Sequence, residues 1–378
     1  MKNNLQSPFQ FGTLATKQNF IDRVADRAML KQLLYSHINV MLVSPRRWGK
    51  SSLVKMAMGE LCEEHKEVRV CYIDAFATAS EAEFYKSFAS SVIACASTKI
   101  ERWIDDAKKF LSGVVPQIVV NNQINEFMAF DMKYVPREQD KLTILRLPET
   151  LSRSKGIKII VCIDEFQQLA TLPEYKDMEG KMRSVWQQQE LATYCLYGSK
   201  RSMMMNIFNN AASPFYRFGQ IIFMQKIKKE DWMEFIISSF QKTDKEISDA
   251  LASRICDVVE CHSWYIQQLC YFVWSFTADR ATGEIVDRGV EQVLNINTPM
   301  FQNNTDNLTS TQKEMLKAIA AGEQRLSSKE VKAKYHLGNP NTIVRNKRTL
   351  QSKDIIEETD GHFAFVDPVY KLWIKTAL

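Results

Sequence analysis

A parallel α/β core, followed by an all-helical segment and a small C-terminal helix-turn-helix with a β wing, is the architecture this sequence predicts. Three observations predict it. The stretch Val40 to Leu53 reads as a buried strand, a tight turn and the start of a helix. A second apolar strand, Ile157 to Ile163, runs directly into Asp164-Glu165. From Lys226 onward the apolar spacing turns helical and closes in three short helices and a two-stranded hairpin.

Composition bounds the possibilities. With 378 residues, 45% hydrophobic and 25% charged, the chain has enough apolar side chains for two or three packed domains and too many for a disordered one. A formal charge of +5 is small for this length, so any contact with nucleic acid has to come from a local patch. The eight cysteines fall mostly in apolar patterns without a Cys-x-x-Cys pair, which reads as buried thiols. The N-terminal residues lack an apolar signal core and no run suits a spanning helix, so a cytoplasmic protein without membrane contact is expected.

In chain order, residues 8 to 35 hold Pro8-Phe9 and Phe20-Ile21-Asp22-Arg23, then a helix with the apolar stripe Met29, Leu30, Leu33 and Leu34. Phe20 and Arg23 are candidates to wall a base pocket; a packing aromatic and a solvated arginine are the alternative. The stretch that follows has the layout of a phosphate-binding loop. Backbone N–H groups at a helix N-terminus attract a polyphosphate, a lysine reaches its terminal phosphates, and a hydroxyl serves Mg²⁺. Gly49, Lys50 and Ser51 fit these roles, within a candidate set of Ser44, Pro45, Arg46, Arg47, Trp48, Gly49, Lys50, Ser51 and Ser52. Ser44 stands where the usual pattern has glycine; Pro45 favours extended geometry at Ser44, so the turn can form without it. Leu53, Val54, Ala57, Met58 and Leu61 form the buried face of the ensuing helix.

Val68 to Ala75 is a near-continuous apolar run, as a strand covered on both faces requires. Ser80 with Glu83 predicts a capping box, and Thr98 with Glu101 another. The pieces 118–120 and 127–130 around Asn121-Asn122 suggest a small hairpin. A helix from Arg137 to Ser152 carries Pro148, which either kinks it or opens a second helix, and Gly156 ends it.

Asp164-Glu165 supplies what a phosphate-binding loop needs from a neighbouring strand. Asp164 is the candidate Mg²⁺ carboxylate together with Ser51, and Glu165 the group that orients the attacking water. A plain helix start is the competing reading of the pair. P-loop ATPases with such an acidic pair place an added strand between the two motif strands. Ala192 to Tyr197 is that strand, and Ser199 is its candidate polar residue near the γ-phosphate, or simply an N-cap. Arg217 is a candidate arginine finger, in cis or from a second subunit, with a surface salt bridge as the alternative.

Beyond Lys226, the spacings of Trp232, Ile236 and Phe240, of Ile255 and Val259, and of Tyr265, Leu269, Val273 and Phe276 define an all-α lid. The Cys261-His262-Ser263-Trp264 turn reads as structural rather than metal-binding. The expected domains are a P-loop NTPase core with its N-terminal segment at 1–225, the α-helical lid at 226–294, a polar linker at 295–310 and a winged helix-turn-helix at 311–378. On its third helix Asn341, Arg345, Arg348 and Ser352 share the face opposite Ile343 and Leu350. These four are the candidates for double-stranded DNA, although winged helices also dock an unidentified protein partner.

With these residues in place, the chain resembles the archaeal-type ATPase family of AAA-like and STAND-like P-loop proteins over nearly its whole length. The resemblance rests on Phe20-Ile21-Asp22-Arg23, Pro45-Arg46-Arg47-Trp48-Gly49-Lys50-Ser51, Cys162-Ile163-Asp164-Glu165-Phe166, Tyr197-Gly198-Ser199-Lys200 and Asp367-Pro368 with Trp373. It implies ATP binding, slow hydrolysis, an α-helical lid, a C-terminal winged helix and no settled substrate. The paired nucleotide motifs with the appended domains predict a Mg²⁺-dependent ATPase switch in which ATP closes the lid and repositions the winged helix. The Trp264 turn lacks the sensing arginine common in AAA-type lids, which argues against motor-like turnover. A DNA-binding regulator or a protein-interaction scaffold with a vestigial nucleotide site is the competing reading.

Overall fold

Five strands build the core sheet: β1 (Val40–Val43), β2 (Val68–Asp74), β3 (Lys158–Asp164), β4 (Ala192–Gly198) and β5 (Gln220–Phe223). The computed structural model describes residues 6–13, 21, 23–97, 136–359 and 361–377. All strand pairs are parallel and the order is β2-β3-β4-β1-β5, so β4 lies between the two motif strands as expected. Register fixes the site: Val43 is level with Gly198 and Ile163 with Leu196, which brings the ends of β1, β3 and β4 to one edge. Every residue of β1 and β4 is buried, and such continuous apolar runs are what a sheet covered on both faces demands.

Helices α1 (Val24–Tyr35), α2 (Lys50–Glu64), α3 (Glu81–Ala96), α4 (Glu138–Lys155), α5 (Tyr175–Trp186) and α6 (Arg201–Phe208) complete the first unit, which spans Arg23–Gln225. All five expected apolar positions of α2 are buried, whereas in α1 only Leu30 and Leu34 are, and Met29 faces outward. Ser80 caps α3 by accepting from Glu83 N, but the Glu83 carboxylate takes the N–H of Ala79 rather than that of Ser80, so the box is offset by one residue. Helix α4 runs unbroken through Pro148 and stops at Gly156, whose φ of 65° suits glycine. The expected 114–130 hairpin and the Thr98 cap lie outside the described residues, as does Phe20.

The second unit joins residues 1–22 to Lys226–Leu378, so the N-terminal segment does not belong with the core as expected. The physical reason is aromatic burial. Phe9 packs edge-on against Phe235 and beside Phe240, and Phe11 meets Trp264, Tyr271 and Phe272. The lid consists of α7 (Lys229–Gln241), α8 (Asp249–Val258), α9 (Ser263–Phe276) and α10 (Gly283–Asp306). Helix α10 overturns the expected linker at 295–310. Its polar composition suggested a loop, but Val286, Val293, Phe301 and Thr305 fall on one buried face, and the helix continues through Pro299.

Helices α11 (Ser310–Ala320), α12 (Lys329–Lys334) and α13 (Pro340–Ser352), with the antiparallel pair β6 (Ile356–Thr359) and β7 (His362–Phe365), form the winged helix-turn-helix. A further helix, α14 (Pro368–Ala377), follows the wing and was not predicted from local sequence patterns. Asp367 starts it, accepting from Val369 N and Tyr370 N at 2.9 Å each, with Pro368 in the first turn. Tyr370 of α14 stacks on Phe301 of α10 and bonds Thr305, so the long helix and the winged helix share one apolar core. No helix among the described residues is long and apolar enough to cross a membrane.

Candidate nucleotide site

The loop between β1 and α2 explains why Ser44 replaces a glycine without damage. Left-handed backbone falls on Arg47 (φ 65°) and Gly49 (φ 89°), and Ser44 has no positive φ. Ser44 is instead buried at the end of β1, donating its N–H to the Gly198 carbonyl at 3.2 Å. The Gly49 turn aims the first N–H groups of α2 at one point, a concavity suited to anions. Pro45 and Trp48 are half-buried and Arg46 and Arg47 exposed along the loop, while Ser52 is buried in the first turn of α2.

Lys50 and the acidic pair meet at this point. Lys50 Nζ lies 2.7 Å from Asp164 Oδ1 and 2.6 Å from Glu165 Oε1, and Ser51 Oγ donates to Asp164 Oδ2 at 2.6 Å. Lys50 is only 7% exposed, so its ammonium is held by charge-assisted bonds rather than water. Glu165 sits in left-handed backbone, φ 49°, ahead of the 3-10 turn Phe166–Thr171. This conformation costs a non-glycine residue roughly 1–2 kcal/mol, and here it turns the carboxylate towards Lys50 and β4.

Ser199 is not the N-cap that one of its two readings expected. Its Oγ donates to Glu165 Oε2 at 2.7 Å, whereas the N-cap of α6 is Lys200, with no side-chain cap bond. Arg46 Nε reaches Ser199 Oγ at 3.4 Å, linking the loop to the same network. Gln167 completes it and was missed by sequence reasoning: it is buried and donates through Nε2 to Glu165 Oε2. No spacing rule marks a glutamine two residues past the acidic pair. Its trace is Gly198, where an added Cβ would lie 1.9 Å from Gln167 Oε1.

The electrostatic balance favours an ionised Glu165. Burial pushes its carboxyl up, but the Lys50 charge and the bonds from Lys50, Gln167 and Ser199 outweigh that and hold it below its ordinary value. Glu165 is therefore an acceptor at neutral pH. Ser51 and Asp164 form the oxygen pair that fits Mg²⁺, which takes few protein ligands beside phosphate and water. The described residues contain no group of three or more His, Cys, Asp or Glu that could hold a metal without phosphate.

One other expected position falls elsewhere. Arg217 precedes β5, whose first residue is level with Val40 at the start of β1, so it lies at the sheet edge opposite Lys50 and Ser199. An arginine finger in cis is thereby ruled out; the exposed guanidinium lies over the Tyr216 ring instead. Arg23 is not solvated, and its partner Gln225 lies two residues past Phe223, which is level with Val43 at the end of β1 where the phosphate loop begins. Arg23 is buried, bonded to Asp26 and to the Gln225 carbonyl, and ties the start of α1 to the end of β5.

On α13, Ile343, Asn346 and Leu350 are buried, and Asn341, Arg345, Arg348 and Ser352 are exposed together with Val344. Among the described residues neither arginine forms an ion pair. Lys347 instead lies over the Phe363 ring of the wing.

A parallel sheet with this strand order, a helix N-terminus carrying Lys50, and an acidic pair at the end of a strand separated from β1 by one intervening strand define a P-loop NTPase. Residues 20–269 match the family model described as an ATPase domain predominantly from Archaea, and the chain belongs to that family. Residues 299–376 match the model described as "Probable winged helix domain". None of the curated proteins matches the chain. Among solved structures it is similar to the Walker-type ATPase PABY2304 of Pyrococcus abyssi, at 17% identity and a TM-score of 0.70, covering 97% of this chain and 99% of that one. It is also similar to the ORC2 protein of Aeropyrum pernix, solved as ADPNP and ADP complexes, at 14% identity, a TM-score of 0.55 and coverage of 97% and 98%. At these identities the likeness is one of fold.

Proposed function

We propose that the protein binds ATP with Mg²⁺ and hydrolyses it slowly, and that the nucleotide state governs what its winged helix binds. The observation that carries this reading is the convergence of Lys50, Ser51, Asp164, Glu165 and Ser199 at the ends of three adjacent strands. The α2 N-terminus takes the phosphates, with Lys50 as their fixed positive charge. Ser51 and Asp164 would hold Mg²⁺, whose charge offsets that of the phosphate oxygens. Glu165, ionised and held by Gln167, orients the attacking water, and Ser199 donates to the γ-phosphate. Phosphate release by wild type and Glu165→Gln tests it. Loss of general-base assistance lowers turnover by about 10²–10⁴-fold while ATP still binds; equal turnover would refute the role of Glu165.

A second reading concerns the winged helix. The exposed Asn341, Arg345, Arg348 and Ser352 face favours double-stranded DNA, with arginines on phosphates and base edges. The competing picture of a vestigial nucleotide site was motivated by Ser44, and that motive weakens because the backbone at Ser44 does not call for glycine.

A further inference from the structure

The lid carries a pair of cysteines that neither nucleotide nor DNA binding uses. Helix α8 ends in a turn closed by two nested bonds, from Cys261 N to the Cys256 carbonyl at 2.9 Å and from Glu260 N to the Asp257 carbonyl at 3.2 Å. Left-handed φ at Glu260 (50°) and Cys261 (54°) reverses the chain. A helix end of this kind places the first and sixth residues side by side. Here both are cysteine. The two differ in access: Cys256 is fully buried and Cys261 partly exposed. They also differ in acidity. The neighbouring Cys256 and the charges of Lys226 and Lys229 outweigh burial and the Asp257 charge and bring the Cys261 thiol down to about 7, whereas Cys256 is raised by the neighbouring Cys261 and by burial. An accessible thiolate beside a buried neutral thiol is the pairing of an attacking and a resolving cysteine.

We propose that Cys256 and Cys261 form a peroxide-sensitive dithiol that closes to an intrahelical-end disulfide. The Cys261 sulfur attacks one oxygen of hydrogen peroxide, the O–O bond breaks, and the departing hydroxide takes up a proton to leave as water. Cys261 is then a sulfenic acid. The Cys256 sulfur attacks it, the S–O bond breaks, and a second water leaves with the Cys256 proton. Two electrons pass from the thiols to the peroxide. The ring so formed contains Glu260, which pairs with Lys371 of α14 at 2.7 Å, so the oxidised turn is the one against which the winged helix's last helix is braced.

Other cysteine neighbours provide internal controls. Cys162 and Cys195 are level on adjacent strands, but both are fully buried. Cys71 is buried and Cys95 partly exposed, and burial with the neighbouring Cys95 raises the Cys71 thiol.

The test treats the reduced full-length chain with hydrogen peroxide, removes the peroxide, blocks free thiols with N-ethylmaleimide in denaturant, and digests with trypsin and with a protease that cleaves after glutamate. Cleavage at Glu260 separates the two cysteines, so a disulfide appears as linked peptides 2 Da lighter than the reduced pair. Expected are the 256–261 link with Cys270, Cys162 and Cys195 blocked by maleimide, and, in Cys256→Ser, a dimedone adduct on Cys261. Maleimide on Cys261 after peroxide, a persistent dimedone adduct there in the wild type, or a first link elsewhere would each overturn the proposal. The wild-type digest decides this even if the variant does not fold.

Discussion

Glu165 shows how single residues set the site's chemistry. Its lowered pKa means that folding favours the ionised form, so it contributes stability above the unfolded value of 4.5 and loses that contribution as pH falls through its folded value. Glu165→Gln lacks this dependence. In acid unfolding the stability gap between the two proteins should therefore narrow below about pH 4.5; a gap independent of pH would contradict the pairing with Lys50. Gly198 is the second informative position. Its missing Cβ makes room for Gln167, so Gly198→Ala forces that side chain off Glu165. Overpacking of this kind costs about 1–3 kcal/mol. The expected result is a lower melting temperature and reduced ATP turnover with ATP affinity kept; unchanged turnover would remove Gln167 from the site.

At the scale of elements, α13 offers the clearest test. Asn339 caps it, accepting from Thr342 N at 2.9 Å, and its exposed face carries Arg345 and Arg348. Replacing either arginine by alanine should weaken binding to double-stranded DNA and lower the slope of log K against log salt by about 1. Unchanged DNA affinity in both variants would point to a protein partner. Much of this was legible beforehand, because strands β1, β3 and β4, helix α2 and the α13 face each carry a local pattern of apolar spacing or turn chemistry. The long helix α10 was not, since its second half is rich in Asn, Gln and Thr and contains Pro299. Tertiary packing of Phe301 and Thr305 against Tyr370 holds a segment that local propensity would leave as a loop. Gln167 was hidden for a related reason, since only the level of Gly198 on a different strand gives it a role.

At the scale of the molecule, the chain divides into a nucleotide-type core and a unit that gathers the N-terminal segment, lid and winged helix. The grouping of Phe9 and Phe11 with the lid depends on contacts more than 200 residues apart in sequence, which no local pattern encodes. The legible part is the phosphate site, because its residues sit at strand ends where register alone brings them together. A ligand that binds only the folded protein stabilises it by about 2.7 kcal/mol at 100 times its Kd. Thermal unfolding should thus shift upward with MgATP in wild type and in Glu165→Gln; no shift in either would count against a nucleotide site.

The most direct measurement is calorimetric titration of MgATP into the wild-type chain and into Lys50→Ala, each first checked for native secondary structure. Saturable one-site binding that is lost on removing Lys50 is the expected result. Equal affinity in the two proteins would contradict the assignment of this crevice to a triphosphate.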